Sequence, residues 1–221
     1  MTPVLVFDVN ETLLDLSALD APFQQIFGHP EARTEWFTQL LQSALVTTVT
    51  GPYADFSTIG RTALAMVAAR RGVHLTNDDR AAIFDAMRRL PPHPDVTDSL
   101  EQLQEAGFRM AALSNGAPDV LHGQMNHAEL VPFFEEVLSA DAVQRLKPSP
   151  EPYHLAAQTL GVDIEAVCMV AAHAWDVGGA MRAGADAAFV ARPGKVLDPL
   201  LPAPDLVGPN LKQVAHQLID A

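Results

Sequence analysis

Four short apolar runs, Val4 to Phe7, Arg109 to Leu113, Ala166 to Ala171 and Ala187 to Ala191, recur along the chain, with a weaker one at Glu136 to Leu138. A run that stays apolar without alternating belongs to a strand covered on both faces, the situation of a parallel sheet layered between helices. Helical patterns separate the runs, among them Val96 to Ala106, Pro150 to Leu160 and Trp175 to Ala183. Strand and helix in alternation predict an α/β fold, a Rossmann-like doubly wound parallel sheet.

From about Leu16 to Leu90 the strand signal disappears and only helical patterns remain: Pro22 to Ile26, Thr34 to Val46, Phe56 to Arg71 and Asn77 to Arg89. This predicts a core of residues 1–14 and 91–221 and an inserted all-helical cap domain at 15–90. Asn77, with Asp78 and Asp79 in the first turn, starts the last cap helix, and Pro91-Pro92 marks the return to the core. Open α/β sheets bind ligands beyond the C-terminal ends of their strands, so an insertion after the first strand makes a lid. Pro199 to Pro209 reads as a proline-rich loop.

The 221 residues suffice for one such domain with its insertion. Fourteen Lys and Arg against 27 Asp and Glu leave a net charge of −13, which argues against nucleic acid as a partner. At 48% hydrophobic and 19% charged residues the chain has the apolar content that disordered chains lack. The lone Cys168 makes no intrachain disulfide and reads as a buried thiol. Met1 leads straight into the first strand without a leader-like pattern, and no run of about 18 apolar residues follows, so the expectation is a cytoplasmic protein with no membrane partner.

Candidate chemistry gathers at the predicted strand ends. Asp8-Val9-Asn10-Glu11-Thr12 puts a carboxylate, an amide and a hydroxyl on one loop, although the same segment reads as a turn in which Asp8 and Asn10 bond nearby backbone. Ser114-Asn115-Gly116 closes the second strand in a form suited to an anion or to a helix start. Lys147 precedes Pro148 and another helix, and Asp176 stands at the start of a helix after the strand that ends near Ala171.

In this order the four blocks resemble the haloacid dehalogenase superfamily. The chain looks most like the L-2-haloacid dehalogenases, through Phe7-Asp8, Thr12-Leu13, Leu113-Ser114-Asn115-Gly116, Lys147-Pro148 with Tyr153 six residues on, and Ala174-Trp175-Asp176. The resemblance implies covalent catalysis on a small 2-haloacid, with no metal and no other cofactor. Asp8 displaces halide and forms an ester that water hydrolyses. Thr12 holds the Asp8 carboxylate, Lys147 supplies its counter-charge, and Asp176 orients Lys147 or the water. Ser114 and Asn115 bind the substrate carboxylate, while Val9, Asn10, Phe37, Tyr153 and Trp175 line the site. A homodimer is a further implication of the family.

Two rival readings remain: a phosphatase of the same superfamily, and a binding protein that keeps the fold without turnover. Phosphatases of this type use an aspartate two residues after the nucleophile and a second carboxylate four residues before the position of Asp176. Here those places hold Asn10 and Ala172. The chain also departs from the dehalogenase pattern. Asn10 stands where Tyr is usual, and Ala171-Ala172-His173-Ala174 replaces Ser-Ser-Asn-Ala. Phe37 aligns loosely with an arginine of the family's lid. His173 is a candidate to assist the hydrolytic water or bind the leaving halide, Asn10 and His173 suit a compact halide, fluoride included, and Tyr53 and Phe56 are further candidates for the pocket wall. The remaining histidines, His74, His93, His122, His127, His154 and His216, lack metal-ligand spacing and read as surface or satisfied residues.

Overall fold

The computed structural model describes residues 2–221. Six strands, β1 (Val4–Phe7), β2 (Met110–Ser114), β3 (Glu136–Ser139), β4 (Val167–Ala171), β5 (Asp186–Val190) and β6 (Leu206–Gly208), form one sheet in the order β3-β2-β1-β4-β5-β6. Each neighbouring pair runs parallel. The order grows outward in both directions from β1, so the chain reverses its winding between β1 and β4 and leaves a crevice at their C-terminal ends.

The continuous apolar runs have the anticipated cause. Leu5 and Phe7 of β1, with Met110, Ala112, Cys168 and Val170, face a core layer that continues into the cap. Val4 and Val6, with Ala111, Leu113 and Met169, face the opposite layer, where Tyr153, Ala156, Leu160 and Val177 cover them. The central strands β1, β2 and β4 are buried on both sides, so no polar residue alternates along them. The buried Cys168 thiol is pushed up to about 12, by burial first and then by Asp186.

Strand β6 corrects the reading of Pro199 to Pro209 as loop throughout. Val207 pairs with Phe189 at the sheet edge. Three residues among prolines, on an edge that packs on one side only, are too few to show a periodic signal.

Four helices form the cap: α1 (Asp20–Phe27), α2 (Glu31–Thr50), α3 (Phe56–Arg71) and α4 (Asn77–Met87). Helix α4 begins at Asn77 as anticipated, but its cap is Thr76, which exchanges hydrogen bonds with Asp79 in a capping box. Trp36 of α2 anchors the cap interior: it packs on Phe23 at 5.4 Å between ring centroids, and its indole N–H donates to the Gly60 carbonyl at 2.9 Å. Where the chain leaves and re-enters the core, the Asp15 N–H donates to the Pro91 carbonyl at 2.8 Å and Leu14 bridges Pro92.

Five helices belong to the sheet layers: α5 (Val96–Glu105), α6 (Pro118–His127), α7 (Pro150–Leu160), α8 (Ala174–Arg182) and α9 (Leu211–Asp220). Across the crevice, the Tyr53 hydroxyl reaches Asp141 and Arg88 pairs with Asp119 at 3.0 Å, so polar contacts on opposite sides hold the cap over the strand ends. No helix among the described residues is long and apolar enough to cross a membrane.

Candidate active site

Parallel strands end together, so the residues that follow them meet. Asp8 follows β1, with its N–H bonded to the Val170 carbonyl of β4 at 3.0 Å. Ser114 ends β2, His173 follows β4 and opens α8, and Lys147 lies in the connection from β3 to α7. The crevice therefore gathers side chains from four separate stretches of sequence.

At its centre the Lys147 ammonium donates to Asp8 Oδ1 at 3.0 Å, to Asp176 Oδ2 at 2.6 Å and to the Leu113 carbonyl at 2.9 Å. All three Nζ hydrogens have acceptors, and Lys147, Asp8 and Asp176 are all buried. Burial opposes the charge on Lys147, yet Asp176 and Asp8 outweigh it and raise its pKa. Burial likewise opposes ionisation of Asp8, while Lys147, His173 and Thr12 hold its carboxyl well below the usual range. Asp176 moves upward, first through burial and then through the charge of Asp8, against the opposite pull of Lys147. One cation thus separates two carboxylates of opposite tendency, one kept as a bare anion and the other made more basic.

Thr12 links the Asp8 loop to β4. Its hydroxyl donates to Asp8 Oδ2 at 2.6 Å and accepts the Ala172 N–H at 2.9 Å. The loop itself is held by Arg192, whose Nε and Nη2 donate to the Thr12 carbonyl at 3.2 and 2.9 Å and whose Nη1 reaches Asp95 at 2.6 Å. Sequence reading missed Arg192. An arginine two residues past a strand reads as solvated, and only its burial reveals the role.

His173 occupies the other face of Asp8. Its Nδ1 lies 3.2 Å from Asp8 Oδ2 and its Nε2 lies 2.8 Å from Glu11 Oε2. The ring stacks on Trp175 at 5.1 Å and 28°. Its pKa is pushed up to about 9, because hydrogen bonds to Asp8 and Glu11 overcome burial. Glu11 also accepts from Lys195, and His173 and Lys195 hold its pKa down against burial. Charges therefore alternate along one continuous row: Asp176, Lys147, Asp8, His173, Glu11, Lys195.

Glu11 and Lys195 were not singled out from the sequence. Glu11 adopts φ 64°, a left-handed conformation that costs a non-glycine residue on the order of 1 kcal/mol or more and points to a local demand on its side chain. Of the scattered histidines, His93 is half-buried and within 3.2 Å of the Glu11 carbonyl, so it too is a satisfied residue.

The amide of Asn10 has a determinable orientation. The Met87 carbonyl can only accept, so the Gln124 atom 2.9 Å from it is the nitrogen, which donates its other hydrogen to Asn10 Oδ1 at 3.1 Å. Asn10 Nδ2 is left as a donor with no partner among the described residues, and Asn10 borders the cavity next to Asp8. Gln124 is a second residue that sequence reading missed; it lies in α6, 114 positions away in sequence.

That cavity measures about 20 Å³ and is bordered by Asp8, Asn10, Ser114, Asn115, Lys147, His173 and Trp175 from the core and by Phe37, Leu41 and Phe56 from the cap. It has room for about one water molecule. Asn115 makes two bonds to the Lys147 backbone, Oδ1 accepting from the N–H at 2.7 Å and Nδ2 donating to the carbonyl at 3.2 Å. One Nδ2 hydrogen remains for a ligand. Ser114 Oγ accepts the Gly116 N–H at 3.0 Å, which leaves its own hydrogen to donate. The Trp175 indole N–H is buried without a partner among the described residues.

Three anticipated wall residues lie elsewhere. Val9 is fully buried in the core layer, because the first residue after Asp8 turns inward while its carbonyl accepts from Leu13 and Leu14. Tyr153 sits behind the site, its hydroxyl donating to Asp176 Oδ1 at 2.6 Å, and helps fix that carboxylate instead of touching the cavity. Tyr53 faces Asp141, whereas Phe56 does border the cavity.

The haloacid dehalogenase-like hydrolase model matches residues 2–184, most of the chain. The chain belongs to this family. Among curated relatives, the (S)-2-haloacid dehalogenase of Pseudomonas sp. (strain YL) is 31% identical over 214 residues, spanning 96% of this chain and 92% of that protein. The (S)-2-haloacid dehalogenase of Xanthobacter autotrophicus is 37% identical over 194 residues, 87% of this chain and 76% of that protein. A solved structure of the Xanthobacter autotrophicus L-2-haloacid dehalogenase, with chloropropionic acid covalently bound, superposes with a TM-score of 0.91 at 31% identity, covering 99% of this chain and 98% of that one.

Within the haloacid dehalogenase-like hydrolases, Mg²⁺-dependent members need a carboxylate-rich environment around the nucleophile. The residues here do not fit that ion: Asn10 and Ala172 contribute no carboxylate, while an ammonium and an imidazole carrying positive charge already flank the two oxygens of Asp8.

Proposed function

We propose that the protein is a metal-independent 2-haloacid dehalogenase that works through an ester on Asp8. The observation carrying this reading is the Lys147 ammonium shared between Asp8 and Asp176 in a buried site. It keeps the nucleophile ionised without a divalent ion, and a pair near 4 Å contributes about 4 kcal/mol at an effective dielectric of about 20.

Asp8 Oδ1 attacks the halogen-bearing carbon; the new C–O bond forms as the carbon–halogen bond breaks and its electron pair leaves as halide. Water then adds to Cγ of the Asp8 ester and gives its proton to Asp176. Collapse expels the hydroxy acid, which takes that proton, and Asp8 releases one proton to solvent on returning to the carboxylate. Ser114 and Asn115 bind the substrate carboxylate, and Asn10 Nδ2 is available to the halogen. A donor of this kind in a small cavity suits a compact halide, fluoride included.

The reading extends to residues 1–14 and 91–221 as the catalytic core and 15–90 as the helical cap, supported by the Asp15 to Pro91 bond at the crossing point. It also includes a cytoplasmic homodimer, supported by the single buried cysteine and by Leu45, Val46 and Val49 exposed on the last turns of α2.

Halide release from fluoroacetate, chloroacetate and L-2-chloropropionate tests the activity, with a chelator present throughout. Asp8→Asn should lower turnover by about 10⁴-fold or more. One turnover in ¹⁸O-water should place the label in the Asp8 carboxylate; label found solely in the hydroxy acid would refute the ester. Phosphatase activity that requires Mg²⁺ would favour the other chemistry of the fold. Light scattering at the mass of a single chain would remove the homodimer.

A further inference from the structure

We infer that Glu11 is a positioning residue that fixes His173 as a doubly donating imidazolium, so that His173 and Thr12 together receive the oxyanion when the Asp8 ester is hydrolysed. This rests on the ester reading above.

Both ring nitrogens of His173 lie within hydrogen-bonding distance of a carboxylate oxygen, Nδ1 at 3.2 Å from Asp8 and Nε2 at 2.8 Å from Glu11. Ionised carboxylates accept and do not donate, so each nitrogen must carry a hydrogen and the ring is a cation. In that form it cannot act as the base for water. The charged groups around the ring are Asp8 and Glu11 from the β1 loop, with Lys195 behind Glu11; Phe37 of the cap and Trp175 of α8 face it with aromatic surface.

The two oxygens of Asp8 are unequally engaged. Oδ2 accepts from both Thr12 and His173, while Oδ1 accepts, among the described side chains, from Lys147 alone and keeps a lone pair free. Oδ1 is therefore the attacking atom, and Oδ2 becomes the carbonyl oxygen of the ester with two donors already aimed at it. When water adds to Cγ, the C=O pair moves onto Oδ2 and meets a hydroxyl and a cationic N–H that need no reorganisation.

Esterification removes the Asp8 charge that helped to hold the proton on His173. Among the described residues, Glu11 is then the one anion left against the ring, and its place is secured independently: the Lys195 ammonium holds its carboxylate, the Glu11 N–H donates to the Leu14 carbonyl at 2.9 Å, and the loop accepts φ 64° at this residue. Glycine takes that backbone conformation without steric cost. Glu11→Gly thus removes the carboxylate while easing the loop, and Glu11→Gln keeps the size and removes the charge.

The test combines NMR of ¹⁵N-histidine protein with single-turnover kinetics on L-2-chloropropionate. The wild type should show both His173 nitrogens protonated near neutral pH. In Glu11→Gln and Glu11→Gly, the halide burst should change little while hydroxy acid formation falls by about tenfold to a hundredfold, so that alkylated Asp8 accumulates and is seen in the intact mass. The alkaline limb of the hydrolysis step should also move to lower pH. A neutral His173 in the wild type, hydrolysis at the wild-type rate in both variants, or an equal loss of both steps would each overturn the inference and leave the dehalogenase reading standing. A wild type that forms no ester on Asp8 would overturn that reading and this inference with it.

Discussion

The two walls of the reaction cavity differ in kind. The core wall is a row of alternating charges in which Lys147, Asp8, His173 and Glu11 each bond a partner on either side. The cap wall is Phe37, Leu41 and Phe56, apolar side chains held by packing. Lys147 at the buried centre of the row cannot be removed without leaving Asp8 and Asp176 unpaired, whereas a change of size in a cap side chain alters packing and cavity shape without stranding a charge. In the proposed function the core wall sets which reaction occurs, and the cap wall sets what fits.

The largest effect separating the walls should come from Lys147→Met. It leaves Asp8 and Asp176 facing each other without their shared cation, so stability should drop by about 3–5 kcal/mol in denaturant titration, together with near-total loss of turnover. Unchanged stability would mean the row is not held by charge.

A second test sharpens the comparison through pH. Folding raises the pKa of His173 from 6.5 to about 9, so its contribution to stability is complete below about pH 6.5 and disappears as pH rises towards 9. The loss is about 3 kcal/mol at most, since each tenfold gain in proton affinity on folding corresponds to roughly 1.4 kcal/mol. Asp8 behaves in the opposite sense: its pKa is lowered from 3.8, so its contribution holds above that value and is lost as pH falls further. Thermal melts should therefore show a fall in Tm above pH 6.5 that is absent in His173→Gln. A wild-type Tm that stays level up to pH 9 would contradict the charged row.

The smallest effect belongs to the cap. Phe37→Ala should widen the cavity and shift the kcat/KM ratio towards bulkier 2-haloacids by about tenfold, with turnover of the smallest substrate retained. An unchanged ratio would show that the cap wall does not discriminate.

Much of this arrangement is legible in sequence because the signals are local. The doubly covered strands leave unbroken apolar runs, the cap interrupts their rhythm, and Asp8, Ser114, Lys147 and Asp176 each stand at or shortly after a strand. Less is legible where meaning depends on a distant partner. Glu11 reads as one more acidic residue of a turn until folding brings His173, 162 positions later, against it. Gln124 and Arg192 carry no sequence mark, since an amide or guanidinium gains its role from the atoms it meets. The motif spacing puts Tyr153 in the right neighbourhood but on the wrong side of Asp176, because helical spacing fixes a face and not the depth at which a hydroxyl stops. Strand β6 falls below the length at which periodicity can speak.

The order and spacing of short motifs, on their own, determined the α/β core, the inserted helices and the gathering of Asp8, Ser114, Lys147 and Asp176 at one sheet edge. These follow from backbone periodicity and from the rule that parallel strands bring their C-terminal ends to one edge. Only the tertiary structure decided the protonation of His173, the hydrogen-bonding sense of Asn10 and the inequality of the two Asp8 oxygens. Each of these depends on the electric field and hydrogen-bond partners of groups far apart in the chain, which acquire a distance from one another only when the chain folds.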